Sequence, residues 1–523
     1  MSRYLAPGPD PADPEPLPDE AIVAARTPRD AAGHAGAPTH PPLAQRDVHL
    51  ILASLMLTMF LSALDQTIVA TALPTIGRQF HDVGNLSWII TAYLLSSTAV
   101  APLFGTLSDI YGRRAMILTS MALFLVGSVL CALAPNMLTL ILARGLQGLG
   151  GGGILPLVQT VISDIVTPRE RGQYQAYFSA VWMSAGIGGP LLGGALAEYL
   201  HWSMIFWINL PLGALSLALL LPKMKLIPPH HRPRKVDWLG GVLLMAAAVV
   251  VVLVLTWGGS RMPWGSPLIL AMIGLAATLA MTFVWHARRT AEPFLPLPLL
   301  GGTVVPYSMI AGGCAIGVIV GMTVTLPLYY ETVYRLSASE SGLALIPLMA
   351  VSVIGAAIAG RVMAKMRRYK WAAILGNLTA MVAMAAMALA PAPLPLWLML
   401  ALLSVFALGF GTTFPVSVVT IQNAVARHQI GTATGAMNFV RSLMASFTVA
   451  AFSAILLIAL GPGLSLDGEH IAASQPINDQ AMIDAFRYVF GAATVLVGAA
   501  ALCLIRMEER RLAGPAGHGI DPA

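Results

Sequence analysis

Charged residues are scarce in this chain. Only 10% of its 523 residues are Asp, Glu, Lys or Arg, whereas 57% are hydrophobic. Because soluble domains average about 25% charged residues, this composition excludes an ordinary soluble globular protein. The net charge of +6 comes from short basic clusters between apolar runs, which favours contact with lipid headgroups over binding of nucleic acid.

Cysteines and metal-binding patterns are also nearly missing. Cys131, Cys314 and Cys503 each lie inside an apolar run, without the paired spacing of a metal site or a disulfide framework. We therefore expect them to be buried packing residues. His49 and His286 stand alone at the ends of apolar runs, and no His-Glu-x-x-His motif occurs. These absences argue against a membrane-embedded enzyme, and no catalytic residue, metal or organic cofactor is expected.

The amino-terminal segment lacks the basic, apolar and small-residue regions of a signal peptide. It is rich in Pro and Ala, with acidic residues scattered among them, a composition typical of disordered segments. We predict a disordered cytoplasmic tail over residues 1–47.

Long apolar runs fill most of the remaining chain. A helix needs about 20 apolar residues to cross a bilayer, and fourteen runs near that length are separated by charged residues, Pro or Gly. These runs lie at residues 49–71, 86–107, 115–134, 137–163, 174–199, 203–221, 239–257, 267–286, 303–330, 342–360, 371–391, 396–420, 431–457 and 485–505. The predicted fold class is an all-α integral membrane protein with fourteen transmembrane helices.

The basic residues predict the orientation of these helices. Basic residues collect in cytoplasmic loops, and placing the amino terminus in the cytoplasm puts the large basic clusters inside. Only four basic residues then fall outside, namely Arg78, Arg261, Arg335 and Arg487. The predicted outer loop near 458–484 is instead acidic. An odd number of spans would break this pattern, so both termini are predicted to be cytoplasmic.

The loop after the second run has a weaker echo after the tenth. The first loop contains Gly105, Asp109, Gly112, Arg113 and Arg114; the second, over residues 360–368, has Ala364 where Asp109 would align. The echo predicts an internal repeat: six-helix bundles over 48–222 and 291–507, a linker over 223–290 that carries two extra transmembrane helices, and a cytoplasmic tail over 508–523. Parallel repeats of this kind usually enclose a substrate site near the membrane midplane.

Asp65 places a carboxyl group inside the first apolar run. Insertion scales assign about 2.5–3.5 kcal/mol to an aspartate at a helix centre, and burial favours its neutral form. A proton-carrying or substrate-facing acid is the favoured interpretation, and a structural hydrogen bond or ion pair is the alternative. The adjacent Gln66 is a candidate cavity residue.

Arg144 lies in the fourth run and needs a partner, because an arginine does not deprotonate. Asp65 is the natural candidate, since an arginine beside a carboxyl group can couple its protonation to helix position. A cap on backbone carbonyls is the alternative. Gln147, on the same run, is a further candidate cavity residue. The glycines that follow permit close helix packing and do not form a nucleotide-binding loop.

Two further runs carry notable residues. Gly189, Pro190, Gly193 and Gly194 lie in the fifth run, where small residues allow helices to touch and Pro190 removes a helix hydrogen bond and bends the segment. The thirteenth run contains Asn438 and Arg441, which are further candidate cavity residues. A cavity-lining role and a helix-packing ion pair both remain open for Arg441. Glu198 and Glu331, near outer span ends, are expected to be exposed.

Taken in order, four motifs resemble those of the fourteen-span drug:proton antiporter family of the major facilitator superfamily. They are a first-helix motif at 65–74, a loop motif at 105–114, a fourth-helix motif at 144–148 and an antiporter motif at 189–194. The resemblance covers nearly the whole chain after about residue 48. It implies the major facilitator fold, with two six-helix bundles and an inserted pair of helices.

The resemblance also implies roles for individual residues. Asp65 would take part in proton coupling with the help of Arg144, and Asp109 and Arg113 would latch the cytoplasmic side. The start of the thirteenth span, near Gly431, is the expected partner of Asp109 because a helix amino terminus attracts negative charge. One departure is that Ser203 replaces the arginine usual at the start of the sixth span, which puts an outer ion pair of that arginine in doubt.

Together these features predict a multidrug efflux transporter of the bacterial cytoplasmic membrane that contributes to antibiotic resistance. It would export small amphiphilic, often cationic, compounds by alternating access, with the proton gradient as energy source and no cofactor. Its partners would be protons, small-molecule substrates and the lipid bilayer, and not nucleic acid; a periplasmic adaptor is left open. A dedicated exporter of an endogenous metabolite, lipid or siderophore is the alternative, and a membrane-embedded enzyme or a channel fits less well.

Overall fold

The computed structural model describes residues 44–512, except residues 83, 228–234, 260, 367, 391–392 and 461–478. Nearly all of the predicted amino-terminal tail, most of the predicted carboxy-terminal tail and the middle of the acidic loop therefore lie outside the described residues. All statements below concern the described part of the chain.

Helices make up the described structure, and no strand occurs among its residues. Fourteen helices are long and apolar enough to cross a membrane. They are α1 (Gln45–Phe80), α2 (Leu86–Tyr111), α3 (Arg113–Ala132), α4 (Met137–Ile165), α5 (Pro168–Tyr199), α6 (Met204–Leu226), α7 (Trp238–Trp257), α8 (Pro267–Arg289), α9 (Val305–Val333), α10 (Ser339–Lys365), α11 (Lys370–Leu389), α12 (Leu396–Ala424), α13 (Arg427–Leu460) and α14 (Gln480–Arg506). The predicted all-α membrane fold with fourteen spans is confirmed.

Three of these spans are interrupted or begin with a tighter turn. In α6 two α-helical segments, Met204–Trp207 and Asn209–Leu220, are followed by a 3₁₀ turn at Leu221–Leu226. A short helix at Ala338–Leu343 precedes the main part of α10 at Ile346–Lys365. In α13 a 3₁₀ turn at Arg427–Gln429 leads into Ile430–Leu460.

The helices pack in an order that repeats after eight helices. α1 packs on α5 and α6, as α9 packs on α13 and α14; α2 and α3 pack on α4, as α10 and α11 pack on α12. The first and second sets meet where α2 contacts α13 and where α5 contacts α10. With the same offset of eight, α2 corresponds to α10 and α5 corresponds to α13, so these two contacts are equivalent. Helices α1–α6 and α9–α14 therefore form two similar halves. α7 and α8 pack on each other as a hairpin.

Glycines set the distance between α4 and its neighbours. A Cβ atom on Gly150 would overlap the backbone of α3 at Phe124, and a Cβ on Gly152 would overlap the backbone of α2 at Ser97. The glycine run therefore lets two helices approach α4 from two sides, as expected of small residues in membrane helices. This close approach places Arg144 and Gln147 of α4 against α1, α2 and α3.

Candidate functional site

Asp65 lies inside the first half and is fully buried. Its Oδ2 accepts a hydrogen bond from Nη1 of Arg144 at 2.6 Å. Its Oδ1 accepts from Nε2 of Gln147 at 2.8 Å and from Nδ2 of Asn209 at 2.9 Å. The carboxylate thus accepts three hydrogen bonds from side chains of α4 and α6.

Arg144 is held on several sides at once. Besides the ion pair with Asp65, its Nη1 donates to Oε1 of Gln147 at 2.6 Å and its Nε donates to the carbonyl oxygen of Ile89 at 3.3 Å. The guanidinium lies 4.4 Å from the ring centroid of Tyr93, an arrangement that stabilises a desolvated cation. The structure therefore pairs Arg144 with Asp65, the partner proposed from the sequence.

A second layer of contacts fixes the donors of Asp65. Oγ of Ser128 on α3 accepts from Gln147 at 2.8 Å and from Asn209 at 3.1 Å. A Cβ on Gly127 would overlap the backbone of Gln147, so this glycine allows α3 and α4 to come together here. The network joins side chains of α1, α3, α4 and α6.

The structure assigns different places to the two glutamines near Asp65. Gln147 was a candidate cavity residue, but its side chain is fully buried and its oxygen and nitrogen are both bonded to Arg144, Asp65 and Ser128. It belongs to the carboxylate network, and the glycines beside it bring α4 against α2 and α3. Gln66, the adjacent candidate on α1, is partly exposed.

Asn209 was not recognised as a site residue from the sequence. It directly contacts Asp65 from α6 and is fully buried. The available signal was an amide in an otherwise apolar run, which carries an energetic cost unless it is hydrogen-bonded.

Asp109 joins the two halves at the end of α2. Oδ1 accepts from the backbone N–H of Gly431 at 3.0 Å, and Oδ2 accepts from the backbone N–H of Thr432 at 2.7 Å and from its hydroxyl at 2.9 Å. These N–H groups belong to the first turn of α13, where a helix leaves its donors unpaired and presents a positive dipole end. The expected contact between Asp109 and the start of the thirteenth span is present.

Arg113 supports this contact from α3. Its Nη1 lies 2.5 Å from Oδ1 of Asp109, and its Nε donates to Oδ2 of Asp164 at 3.0 Å. Arg113 and Asp109 are both buried. Gly112 between them has a φ of 90°, a conformation that favours glycine, and it turns the chain from α2 into α3.

Gly105 and Arg114 complete the loop motif in different ways. A Cβ on Gly105 would overlap the carbonyl oxygen of Gly431, so the backbones of α2 and α13 touch at this position. Arg114 instead contacts its own half, since its guanidinium donates to the carbonyl oxygens of Lys225, in the last turn of α6, and of Ile227, directly after α6.

Two of the four residues of the antiporter motif contact α1. A Cβ on Gly189 would overlap the side chain of Thr67, and a Cβ on Gly193 would overlap the backbone oxygen of Ile68. Gly194 has open space at its Cβ position, and Pro190 is exposed. Gly189 and Gly193 lie one helical turn apart and therefore form a groove on α5. Thr67 and Ile68 of α1, which follow Asp65 closely in the chain, pack into this groove.

Asn438 and Arg441 lie on α13 and are both buried. Nδ2 of Asn438 donates to Oε1 of Gln159 on α4 at 2.8 Å, so it joins the two halves. Arg441 donates from Nη2 to Oγ of Ser417 at 2.5 Å and lies 4.5 Å from the ring centroid of Phe414. No ion pair of Arg441 is present among the described residues, so the structure does not contain the helix-packing ion pair that was one of its two proposed roles.

The remaining titratable residues lie outside these networks. Glu198, Glu331 and His49 are exposed. The sequence suggested that His286 stands alone, but the structure gives it a partner. Its Nε2 lies 2.8 Å from Oδ1 of Asp237, which caps α7. Although burial favours the neutral acid, hydrogen bonds from the backbone of Gly240, from His286 and from the backbone of Phe294 hold the pKa of Asp237 below its usual value.

The part of the chain that the structure describes contains no group of three or more His, Cys, Asp or Glu residues that could hold a metal ion. The cysteines are free; Cys131 and Cys314 are buried, and Cys503 is partly buried. The prediction of buried packing is thus confirmed for two of the three.

Hydrogen bonds between the two halves lie on one side of the bundle. They join Asp109 to the start of α13, Gln159 to Asn438, and Gln422 to the backbone oxygen of Gln159 at 3.3 Å. Gln159 and Gln422 lie within the last two turns of α4 and α12, and Gly431 lies in the first turn of α13. All these ends fall on the side that the basic residues predict to be cytoplasmic.

Comparison with known proteins gives a consistent result. The model of the Major Facilitator Superfamily matches residues 55–449. The chain is 33% identical over 413 residues to "Efflux pump FUS6" of Gibberella moniliformis, covering 78% of this chain and 73% of that protein. It is 31% identical over 408 residues to "Multidrug transporter protein MdtP" of Bacillus subtilis, covering 78% of this chain and 75% of that protein.

A solved structure shares the fold. The proton:xylose symporter XylE, bound to 6-bromo-6-deoxy-D-glucose, matches with a TM-score of 0.58 and 15% sequence identity, over 88% of this chain and 95% of that chain.

Proposed function

Because the chain belongs to the major facilitator superfamily, whose members are transporters and not enzymes, we propose that it is a proton-driven exporter of small amphiphilic molecules. Efflux itself is supported by the relatives named efflux pump and multidrug transporter. Proton coupling and antiport are the proposed part, with the proton gradient as the energy source and no cofactor.

The buried carboxylate of Asp65 is the observation that carries the proposal. It accepts three hydrogen bonds, and all three donors reach it from α4 and α6 of its own half. The adjacent residues of α1 lie in the groove formed by Gly189 and Gly193 of α5. A proton on Asp65 would weaken its ion pair with Arg144 and loosen these helix contacts, so that protonation is coupled to helix position.

Alternating access then requires the two halves to separate on one side while they close on the other. The contacts of Asp109, Gln159 and Gln422 hold the predicted cytoplasmic side closed. We infer that this conformation faces outward and is the one in which cargo leaves and a proton enters. Breaking the Asp109 contacts would open the cytoplasmic side.

The proton gradient supplies enough free energy for this exchange. One pH unit is worth about 1.4 kcal/mol per proton, which corresponds to about a tenfold concentration ratio for a neutral cargo exchanged one for one. A membrane potential of 100 mV adds about 2.3 kcal/mol for each net charge moved.

The location and the cargo are narrower proposals. A multi-pass membrane protein follows from the family and the fourteen spans; we place it in a bacterial cytoplasmic membrane with both termini inside, in accord with the basic loops. We further propose the domain boundaries given by the repeat, with halves at 48–222 and 291–507. The sequence favours broad, often cationic, cargo that protons displace, and dedicated export of one endogenous metabolite, lipid or siderophore uses the same machinery.

Transport in proteoliposomes under an imposed pH gradient tests the proposal. Wild-type protein should concentrate an amphiphilic dye when the gradient is imposed and should stop when a protonophore collapses it. Asp65→Asn should insert and fold, because the amide fits the same space, yet lose gradient-driven transport. Accumulation by Asp65→Asn at the wild-type rate would exclude Asp65 as the coupling residue, with Glu331 and Glu198 as the next carboxyl groups to examine.

A further inference from the structure

Arg441 is a buried cation whose charge has no ion-pair partner among the residues that the structure describes. Its nitrogens Nε and Nη1 are buried without a hydrogen-bond partner among the described residues, and only Nη2 is bonded, to the neutral hydroxyl of Ser417. An arginine stays protonated in proteins. A buried charge is costly unless a counter-charge accompanies it.

The sequence around Arg441 explains why this half supplies no counter-charge. No Asp or Glu occurs anywhere between Glu340 and Asp467, which includes almost all of α10, α11, α12 and α13. In α9 the acidic residue is Glu331, which is exposed. The buried acids of the first half are committed elsewhere, since Asp65 pairs with Arg144 and Asp109 pairs with Arg113.

A glycine on the neighbouring helix α9 leaves room for the guanidinium of Arg441. A Cβ on Gly312 of α9 would lie 2.9 Å from Oγ of Ser417 and 3.2 Å from Nη2 of Arg441, so a larger residue there would press on the pair. Phe414 covers one face of the guanidinium. α9, α12 and α13 thus form an apolar setting that holds Arg441 in one position while leaving two of its nitrogens unpaired.

Arg441 also lies near the contact between the two halves. It follows Asn438 by one turn of α13 and shares its face, and Asn438 bonds Gln159 of α4. About 14 residues of helix, or about 21 Å, separate Arg441 from the start of α13, which places it well inside a bilayer core of about 30 Å. The position fits the midplane region where parallel repeats enclose cargo.

Gln159 offers a second unpaired donor close to this face. Its Nε2 is buried without a partner. The orientation of the amide follows from the network, because Nδ2 of Asn438 donates both to the backbone oxygen of Thr434 and to Oε1 of Gln159. The unpaired polar atoms of Gln159 and Arg441 are therefore all donors.

Given the proposed export function, we propose that Arg441, with Gln159 beside it, binds an acidic group of the cargo, so that amphiphilic carboxylic acids are exported as anions. A carboxylate supplies the missing charge and accepts from the unpaired nitrogens, and its apolar body lies against Phe414 and the neighbouring helices. This inference replaces the often cationic cargo favoured by the sequence, since a cation would be repelled by Arg441 and would leave its donors unpaired.

Binding of three matched probes to the purified full chain tests the proposal without any pH gradient. 4-Butylbenzoate, 4-butylbenzamide and 4-butylbenzylammonium share a ring and a tail and differ in charge. In a chloride-free Tris–HEPES buffer at neutral pH, wild type should bind the benzoate about tenfold or more tightly than the amide. Tighter binding of the ammonium probe would overturn the proposal.

Substitutions at the site sharpen the test. Arg441→Gln should weaken benzoate binding by about tenfold and leave amide binding within about twofold, whereas Arg441→Lys should lie between wild type and Arg441→Gln because it keeps the charge. Ser417→Asp should place a carboxylate against Arg441 and abolish benzoate binding while the protein keeps or gains thermal stability. Unchanged benzoate affinity in Arg441→Gln, or in a folded Ser417→Asp, would show that Arg441 is not an acid-binding residue.

Two further outcomes separate this inference from others. If sodium chloride alone stabilises wild type through Arg441 and the benzoate adds nothing, the residue takes a small inorganic anion and the proposal fails. If the benzoate binds as expected but no probe accumulates under a pH gradient, the proposed proton coupling fails while acid binding stands.

Discussion

Asp65 and Asp109 are both buried carboxylates, and their partners assign them different tasks. Asp65 is bonded only to side chains of its own half, from Arg144, Gln147 and Asn209. Asp109 is bonded to backbone N–H groups of the other half, at Gly431 and Thr432. A change of charge at Asp65 therefore acts within α1–α6, whereas a change at Asp109 acts directly on the contact between halves.

Asp109→Asn should reduce export at equal membrane abundance. The amide has one acceptor oxygen in place of two and presents an NH2 group to the donors of α13, and it loses the ion pair with Arg113. The loss of charge at a helix amino terminus alone is worth about 0.3–1 kcal/mol. Efflux rate per amount of protein in vesicles, measured with a fluorescent amphiphile, checks the prediction.

Asp237→Asn is the matched control for this substitution. Asp237 also caps a helix amino terminus, but it lies at the start of α7 and bonds Gly240, His286 and Phe294, and not the backbone of α13. Asp237→Asn should therefore export normally. Equal loss of export in both variants would show that Asp109 acts only as a local cap.

At the residue scale, the sequence was informative where a charge had to find a partner. An acid and an arginine that both lie in apolar runs were predicted to form an ion pair. In the structure, Nη1 of Arg144 lies 2.6 Å from Oδ2 of Asp65. The neutral members of the network, Asn209 and Ser128, could not be predicted in the same way. Amides and hydroxyls also bond their own helix backbone, so their tertiary partners depend on helix rotation.

At the scale of helices, the contact between halves is asymmetric. Asp109 of α2 caps α13, but the related position on α10 is Ala364, which has no carboxylate to offer α5. The structure shows what replaces it: α5 is capped by its own Thr167 and Glu170, whose side chain accepts from the Thr167 backbone at 3.0 Å. There the two halves touch through Gly172 and Gly360 instead. The contact between the two halves is thus polar at one of these places and made of backbone packing at the other.

Pro190→Ala should permit insertion but impair export. Proline lacks the N–H that would bond the carbonyl of Gly186 and keeps α5 deformable beside the groove for α1. Alanine restores that bond and should stiffen the helix where it must move against Thr67. Export rates at matched expression measure the effect.

Pro267→Ala serves as the control for this helix. Pro267 is the first residue of α8, where proline removes no helix hydrogen bond, and so its replacement should leave export unchanged. Normal export by Pro190→Ala would mean that the bend contributes nothing to the cycle.

The existence of the spans could be predicted from apolar run length, but their ends could not. α1 was expected at 49–71 and extends over Gln45–Phe80, because a helix continues beyond the lipid core wherever its backbone remains hydrogen-bonded. The interruption of α6 near Ile208 was likewise not visible in hydropathy. It matters for the site, since Asn209 begins the segment that contacts Asp65.

At the scale of the whole molecule, glycines form close backbone contacts between the two halves on the predicted cytoplasmic side. Gly105 and Gly431 bring the backbones of α2 and α13 together, and a Cβ on Gly435 would lie 2.8 Å from the carbonyl oxygen of Ala101. Close backbone packing of this kind has no side chain that can move aside. The closed state is therefore more sensitive to one added methyl group than a contact made by flexible side chains would be.

Gly431→Ala should shift the population toward a conformation that is open on the cytoplasmic side. Its Cβ would overlap the carbonyl oxygen of Gly105 and would lie 2.7 Å from Oδ1 of Asp109, so the closed state is destabilised while a state with separated halves is not. Spin labels on Tyr111→Cys and Ala426→Cys, in a background without the three native cysteines, should report a longer distance than in the unsubstituted protein. Gly274→Ala is the control, because nothing lies near its Cβ position in α8, and it should leave the distance distribution unchanged. If Gly431→Ala kept the original distribution, the glycine contact would not govern closure, and the Asp109 hydrogen bonds would have to hold the two halves together without it.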